Sequence, residues 1–311
     1  MLARAAERVY WTGRYLERAE NTARIVQQYS QLLLDLPEEV GVGWSELVTI
    51  FGAAGIFPAD ADMNDEKRVL RFLVSDAGSP SSLAHAIRMA RDNIRNTRDL
   101  LPQESWECVN ELDHFARRRL PDTADDEDRF ELLSECIARC LQINGILVGT
   151  MSHGAPYQFL RLGQSIERAD MTSRIVDVAT AYIRKDPDLV ARFGSVLWTN
   201  VLKSVSGFQM YRQYCEPRVD GTRVIEFLLS DMQFPRAIAC CISRARFSCA
   251  QLPHGDPPRA ALDRVAAMLE EASAEELPAA DVSALMDRIQ AQLGEAHAAI
   301  ARSWFLWDGN Q

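Results

Sequence analysis

Apolar positions recur three and four residues apart along nearly the whole chain, and period-two alternation ending in tight hairpin pairs does not occur. Tyr15, Leu16, Ala19, Ala23 and Val26 trace one such apolar arc in the opening segment. Pro37, Pro58, Pro80, Pro102, Pro121, Pro156, Pro187, Pro217, Pro235, Pro253 and Pro278 punctuate the periodic segments. A residue that suits a helix's first turn but not its interior belongs at such places. The pattern predicts an all-α protein of about twelve helices, near residues 3–36, 44–56, 64–75, 80–101, 103–120, 127–153, 155–185, 188–213, 219–230, 234–251, 257–274 and 280–307.

The chain repeats itself. Residues 13–26 read GRYLERAENTARIV and residues 163–176 read GQSIERADMTSRIV, with eight of fourteen positions identical at an offset of 150. Residues 65–91 and 220–246 match at twelve of twenty-seven positions at an offset of 155. Between these pairs, Trp44-Ser45 matches Trp198-Thr199 at an offset of 154. Three collinear matches predict a tandem duplication, with halves at 1–153 and 154–311 forming one compact unit. The short period of a solenoid is missing, so the expected architecture is a pseudo-twofold helical bundle.

Wound at 100° per residue, Gly13, Glu17, Glu20 and Arg24 share a stripe about 60° wide. Gly163, Glu167, Asp170 and Arg174 repeat it, and Arg18 and Arg168 match beside it. A long helix can bury its apolar arc and leave such a stripe to solvent. A solvated stripe has no need to keep its residue types in both copies, so the stripes are expected to face each other or a shared cleft. Small residues at 13 and 163 would admit a close neighbour. Two readings stay open: a buried Glu–Arg network pinning the copies together, or a site for a cationic or zwitterionic ligand, a divalent metal or acid–base work. The candidate binding set is Arg14, Glu17, Arg18, Glu20, Arg24, Glu167, Arg168, Asp170 and Arg174, with Arg91 and Arg95; Glu17 and Glu167 are the candidate catalytic groups.

Composition narrows the classes. A formal net charge of -10 disfavours generic nucleic-acid binding. Arginines outnumber lysines 31 to 3, and their planar fork suits carboxylates and phosphates. No uninterrupted apolar run reaches the roughly 18 residues of a membrane span, and the opening Met1–Arg8 has no apolar leader region. Seven scattered cysteines read as reduced thiols. A cytoplasmic protein with no membrane contact is expected.

The run from Arg4 through Tyr10-Trp11-Thr12-Gly13-Arg14-Tyr15-Leu16-Glu17-Arg18-Ala19-Glu20-Asn21-Thr22-Ala23-Arg24 resembles the opening of the bacterial alpha-E family. Ala90-Arg91, Asn93, Arg95 and Arg98, followed by Glu104-Ser105-Trp106 and Asn110, resemble that family's second signature, with departures at Ile94 and Thr97. The resemblance spans nearly the whole chain. It implies an all-helical protein whose genes are linked or fused to a circularly permuted ATP-grasp amidoligase. A transglutaminase-like peptidase and a proteasome-like hydrolase are further neighbours. The implied setting is peptide synthesis or peptide tagging, with a peptide or amino-acid ligand possible.

The remaining motifs are weaker. Arg88, Arg91, Arg95 and Arg98 share a helix face as an anion cradle or a solvated basic face. Ser75-Asp76 before Pro80, repeated as Ser230-Asp231 before Pro235, suit helix caps. Cys136, Cys140, Cys240 and Cys241 lack histidines at zinc spacing and read as buried thiols, so no metal or cofactor is expected. Walker, dinucleotide and nucleophile-elbow motifs do not occur. The acidic run 122–128 suits a loop that charges the next helix start favourably. Trp304-Phe305-Leu306-Trp307 would cap the core or anchor a partner. Three functions follow: an accessory protein binding ligase or peptide, an enzyme of the same pathway working through paired carboxylates, or a structural scaffold.

Overall fold

The computed structural model describes residues 1–37, 41–123, 128–185, 187–214, 218–273 and 278–306. Thirteen α-helices and no strands occur among them: α1 (Ala3–Asp35), α2 (Ser45–Ile50), α3 (Glu66–Leu70), α4 (Leu83–Arg95), α5 (Gln103–Arg119), α6 (Arg129–Thr150), α7 (Ala155–Lys185), α8 (Pro187–Ser204), α9 (Phe208–Tyr214), α10 (Gly221–Ser230), α11 (Ile238–Ala250), α12 (Asp256–Ser273) and α13 (Ala279–Trp304). The all-α expectation holds. The chain divides into two compact units. Unit 1 comprises Met1–Gln27, Gly43–Glu167 and the segment from Trp304; unit 2 comprises Gln28–Val42 and Arg168–Ser303. α1 and α7 each contribute to both units.

Local chemistry explains the boundaries. Asp65 caps α3 by accepting from Arg68 N at 3.2 Å, and Asp220 caps α10 by accepting from Arg223 N at 3.2 Å. These aspartates open the second repeated segment in each half. Past α3 the first half widens into a π-helical turn over Arg71–Ser75, where the second half stays α-helical. Asp76 and Asp231 stand at the C-terminal ends of the preceding helices and are not the N-caps of the following ones. Asp76 accepts from Gly78 N, and Asp231 from Gln233 N and Phe234 N, so each closes a turn. α4 is capped by Ser82, which accepts from His85 N at 3.0 Å; the prolines stand inside the turns, before the helices begin.

Two segments differ from the periodic reading. The single helix expected over 188–213 breaks where Ser206 takes a φ of 57°, and Gly207 N donates to Leu202 O. α6 is, by length and composition, apolar enough to cross a membrane, with 44% of its most apolar stretch buried. It holds no long uninterrupted apolar run, because Ser134, Glu135, Arg139, Gln142 and Asn144 break it up. Its buried face carries Leu133, Cys136, Cys140, Ile143 and Leu147, while Phe130, Leu141 and Val148 are exposed. Most of the acidic run 122–128, and Trp307, lie outside the described residues.

Unit 1 packs α4 on α5 and α5 on α6; unit 2 packs α10 on α11 and α12. The C-terminal aromatics cap unit 1's own core. Trp304 meets Phe159 edge-on at 5.2 Å, and Phe305 lies 5.4 Å from Tyr10. Cys136, Cys140, Cys240, Cys241 and Cys249 are buried thiols.

Candidate functional site

In unit 1 the two signature helices meet at their glycines. A Cβ on Gly13 would collide with the carbonyl oxygen of Leu160 and stand 3.1 Å from Gln164 N; one on Gly163 would collide with the carbonyl oxygen of Tyr10 and stand 3.2 Å from Arg14 N. Under the 150-residue offset these contacts are reciprocal, since 10 pairs with 160 and 14 with 164. Backbone meets backbone here, which only a residue without Cβ permits.

That approach lays the start of α7 beside α1 and brings Glu167 between two arginines. Arg14 Nε donates to Glu167 Oε2 at 2.6 Å. Arg18 Nε donates to Oε1 at 2.6 Å, and Arg18 Nη2 to Oε2 at 3.2 Å. Both carboxylate oxygens are thus engaged, on a residue only 1% exposed. Arg14 Nη1 also lies 3.5 Å from the Tyr10 hydroxyl. Aromatic rings back both cations: Arg14 stands 5.3 Å over Trp11 and Arg18 stands 5.6 Å over Tyr15. Burial alone would push the Glu167 carboxyl up, but Arg14 and then Arg18 outweigh it and hold it down at about 2. Burial likewise raises the Tyr10 phenol, against Arg14.

The rest of the stripe is placed as follows. Glu17 is fully buried. Glu20 is buried and accepts from Arg24 Nη2 at 2.8 Å, one turn along α1. In unit 2, Asp170 accepts from Arg174 Nε at 3.0 Å, the same one-turn pairing at a more exposed place. Arg168 is half-buried in unit 2. Cys140 on α6 is pushed well above the ordinary thiol range, first by burial, then by Cys136 and the carboxylates of Glu20 and Glu17; it shares their interior and is unreactive. The polar stripe of α1 is therefore interior, not solvated. The cross-helix partners of Glu167 are Arg14 and Arg18, which flank the stripe.

Arg91 and Arg95 stand apart from this cluster. Arg91 Nε donates to Asn110 Oδ1 at 2.7 Å and lies 3.5 Å from Asp113, which also accepts from Arg117 at 3.0 Å. Trp106 stands under both Arg91 and Arg98. Arg95 is exposed. Arg88 lies 3.5 Å from His85 Nδ1. The four-arginine face is thus split between these neighbours. Sequence reasoning missed Tyr10, Trp11 and Asp113 as partners. The signal for the rings was present: an aromatic residue stands three positions before each arginine that binds Glu167.

Among the described residues no three His, Cys, Asp or Glu side chains gather as a metal site. A carboxylate held near 2 and saturated by arginines stays ionised at neutral pH, which ill suits proton transfer. What this arrangement does well is lock two helices at one register.

The family model that matches residues 1–305 is Alpha-E, described as a predicted alpha-helical domain with a conserved ER motif. The chain belongs to the Alpha-E family. Glu-Arg pairs occur at Glu17-Arg18 and Glu167-Arg168. An uncharacterized protein of Mycobacterium bovis and two of Mycobacterium tuberculosis are each 25% identical to this Alpha-E chain over 316 residues. The match covers 95% of the chain and 35% of each relative, so the chain spans about a third of their length. No solved structure matches.

Proposed function

We propose that this Alpha-E chain is a non-catalytic accessory module that works beside an ATP-grasp peptide ligase in peptide synthesis or tagging. The observation that carries the non-catalytic part is Glu167: its carboxylate is buried and satisfied by Arg14 and Arg18. The signature acid is thereby committed to holding α1 against α7. Ligase partnership rests on the family resemblance. The longer mycobacterial relatives, in which the matched part is about a third of the chain, are in keeping with a module that serves a larger assembly. The same reading takes the chain as two copies of one helical unit, and the reciprocal glycine contacts at 13 and 163 support it.

Co-expression with an ATP-grasp amidoligase of the kind that the family resemblance implies tests the partnership. The expected result is a stoichiometric complex by light scattering, retained in a Glu17→Gln variant that still folds. No complex at about 10 μM of each partner, an affinity any working pair should exceed, overturns it. Substrate turnover by the isolated chain that Glu17→Gln abolishes without loss of fold would instead make it an enzyme.

A further inference from the structure

In unit 2 a cleft of about 290 Å³ opens among α10, α11 and α12. Buried Ile242 and Leu269 give it an apolar floor, and Ala266 and Ser243 leave it room. Arg246 and Glu270, both exposed, supply its charges.

Comparison with unit 1 shows what made this space. At the 155-residue offset Arg246 corresponds to Arg91 and Ser243 to Arg88. α5 begins at Gln103 and α12 at Asp256, an offset of 153. That offset pairs Asn110 with Asp263: Asn110 accepts from Arg91 Nε at 2.7 Å, and Asp263 Oδ1 forms an ion pair with Arg246 Nε at 2.6 Å. It also pairs Asp113 with Ala266. In unit 1, then, Asp113 is a buried carboxylate beside Arg91, and position 88 holds an arginine. In unit 2 those positions hold a methyl group and a small hydroxyl. The carboxylate has moved: position 266 no longer carries one, Asp263 stands at Arg246 Nε instead, and the arginine side chain is 43% exposed. A guanidinium at the end of an apolar cleft is a receptor for a planar carboxylate.

We propose that the α11–α12 cleft binds a monocarboxylate with a short, branched apolar body, whose carboxylate takes up beside Arg246 the role that Asp113 plays beside Arg91. Glu270 discriminates against dianions. A free small acid and the C-terminal residue of a peptide share this chemistry. The proposal rests on correspondence between the halves, not on the ligase partnership, so the two fail separately.

Amide NMR titrations of the full chain decide it, with N-acetyl-L-leucine, its neutral amide and the tripeptide Ala-Ala-Leu as probes. The acid is expected to saturate shifts at Ala239 and Ser243 with a millimolar or tighter Kd, and the amide to bind at least about tenfold more weakly. Binding of the tripeptide as tight as that of the acid names a peptide end; weaker binding names a free acid. Arg246→Gln is expected to weaken the acid to the amide's level, and Ala266→Asp, which restores the unit 1 residue, to abolish binding. No saturation by about 10 mM acid, or equal binding of acid and amide, overturns the proposal. So does an unchanged Kd in Arg246→Gln, which substitutes an exposed residue and keeps the test valid if Ala266→Asp does not fold.

Discussion

One turn of the signature helix occurs twice in this chain, with different surroundings each time. In unit 1, Glu20 accepts from Arg24 with side-chain exposures of 1% and 17%; in unit 2, Asp170 accepts from Arg174 with 19% and 29%. The spacing, the charges and the helical geometry are the same. The strength of such a pair depends on how much water each partner gives up, because a charge deprived of solvent depends on its partner far more than a hydrated one does. Glu167 is the extreme case: a single carboxylate, shut away, serving two guanidinium groups. The ranking Glu167, then Glu20, then Asp170 can be tested by removing each in turn.

Glu167→Ala should have the largest effect. It removes the one carboxylate that Arg14 and Arg18 share. Breaking a buried pair from one side costs about 3–5 kcal/mol. Urea unfolding should show that loss, and a variant within about 1 kcal/mol of the parent would mean that water reaches the cluster freely.

Acid should dismantle the same contact without a mutation. The Glu167 carboxyl titrates at about 2 in the folded chain, against 4.5 as the ordinary value. A depressed folded value means stabilisation that is complete above the ordinary value and is lost as pH falls towards the folded one. The stability difference between the parent and Glu167→Gln should therefore be flat above about pH 5 and shrink between 4.5 and 2. The part lost is on the order of 3 kcal/mol. A difference that stays constant through that window would show that the arginines do not hold the ionised form.

The helices were legible because apolar periodicity and proline placement report local preference, and α1, α5 and α7 follow that preference closely. The acid-and-arginine stripe was legible because it occurs twice. The partner of each acid was not. A helical wheel places Glu17, Glu20 and Arg24 together, but Arg14 and Arg18 reach Glu167 only because the helices touch at Gly13 and Gly163, and that approach is a tertiary fact. Ser206 breaks the helix expected over 188–213 through a left-handed backbone that no periodicity reports. Asp76 was read as a cap because capping and turn closure use the same side-chain acceptor.

The glycines sharpen the comparison in another way. Gly163→Ala places a methyl group against the Tyr10 carbonyl, which belongs to a helix backbone and cannot rotate aside. The crossing must open, at about 1–3 kcal/mol, against a helix-propensity gain of up to about 1. Gly145 on α6 has no heavy atom within 4 Å of a built Cβ, so Gly145→Ala should stabilise by up to about 1 kcal/mol. Thermal melts that move in opposite directions for the two variants are expected. Movement in the same direction would mean that the α1–α7 approach is looser than the Gly13–Leu160 and Gly163–Tyr10 contacts make it.

The smallest effect bears most directly on what separates the two copies. Glu20→Gln removes charge from a carboxylate that is 1% exposed and leaves Arg24 half-buried with a weaker acceptor, at about 1–3 kcal/mol. Asp170→Asn weakens a pair whose arginine is 29% exposed and keeps water as a substitute partner, so the loss should stay below about 1 kcal/mol. Salt separates the two further. At 1 M the screening length falls to about 3 Å, which removes most of an exposed pair's attraction while sparing one inside the fold. Repeating both unfolding measurements at high salt should therefore erase the Asp170→Asn difference and leave most of that for Glu20→Gln. Equal losses at low salt that vanish together at high salt would mean that burial does not distinguish the two copies of this turn.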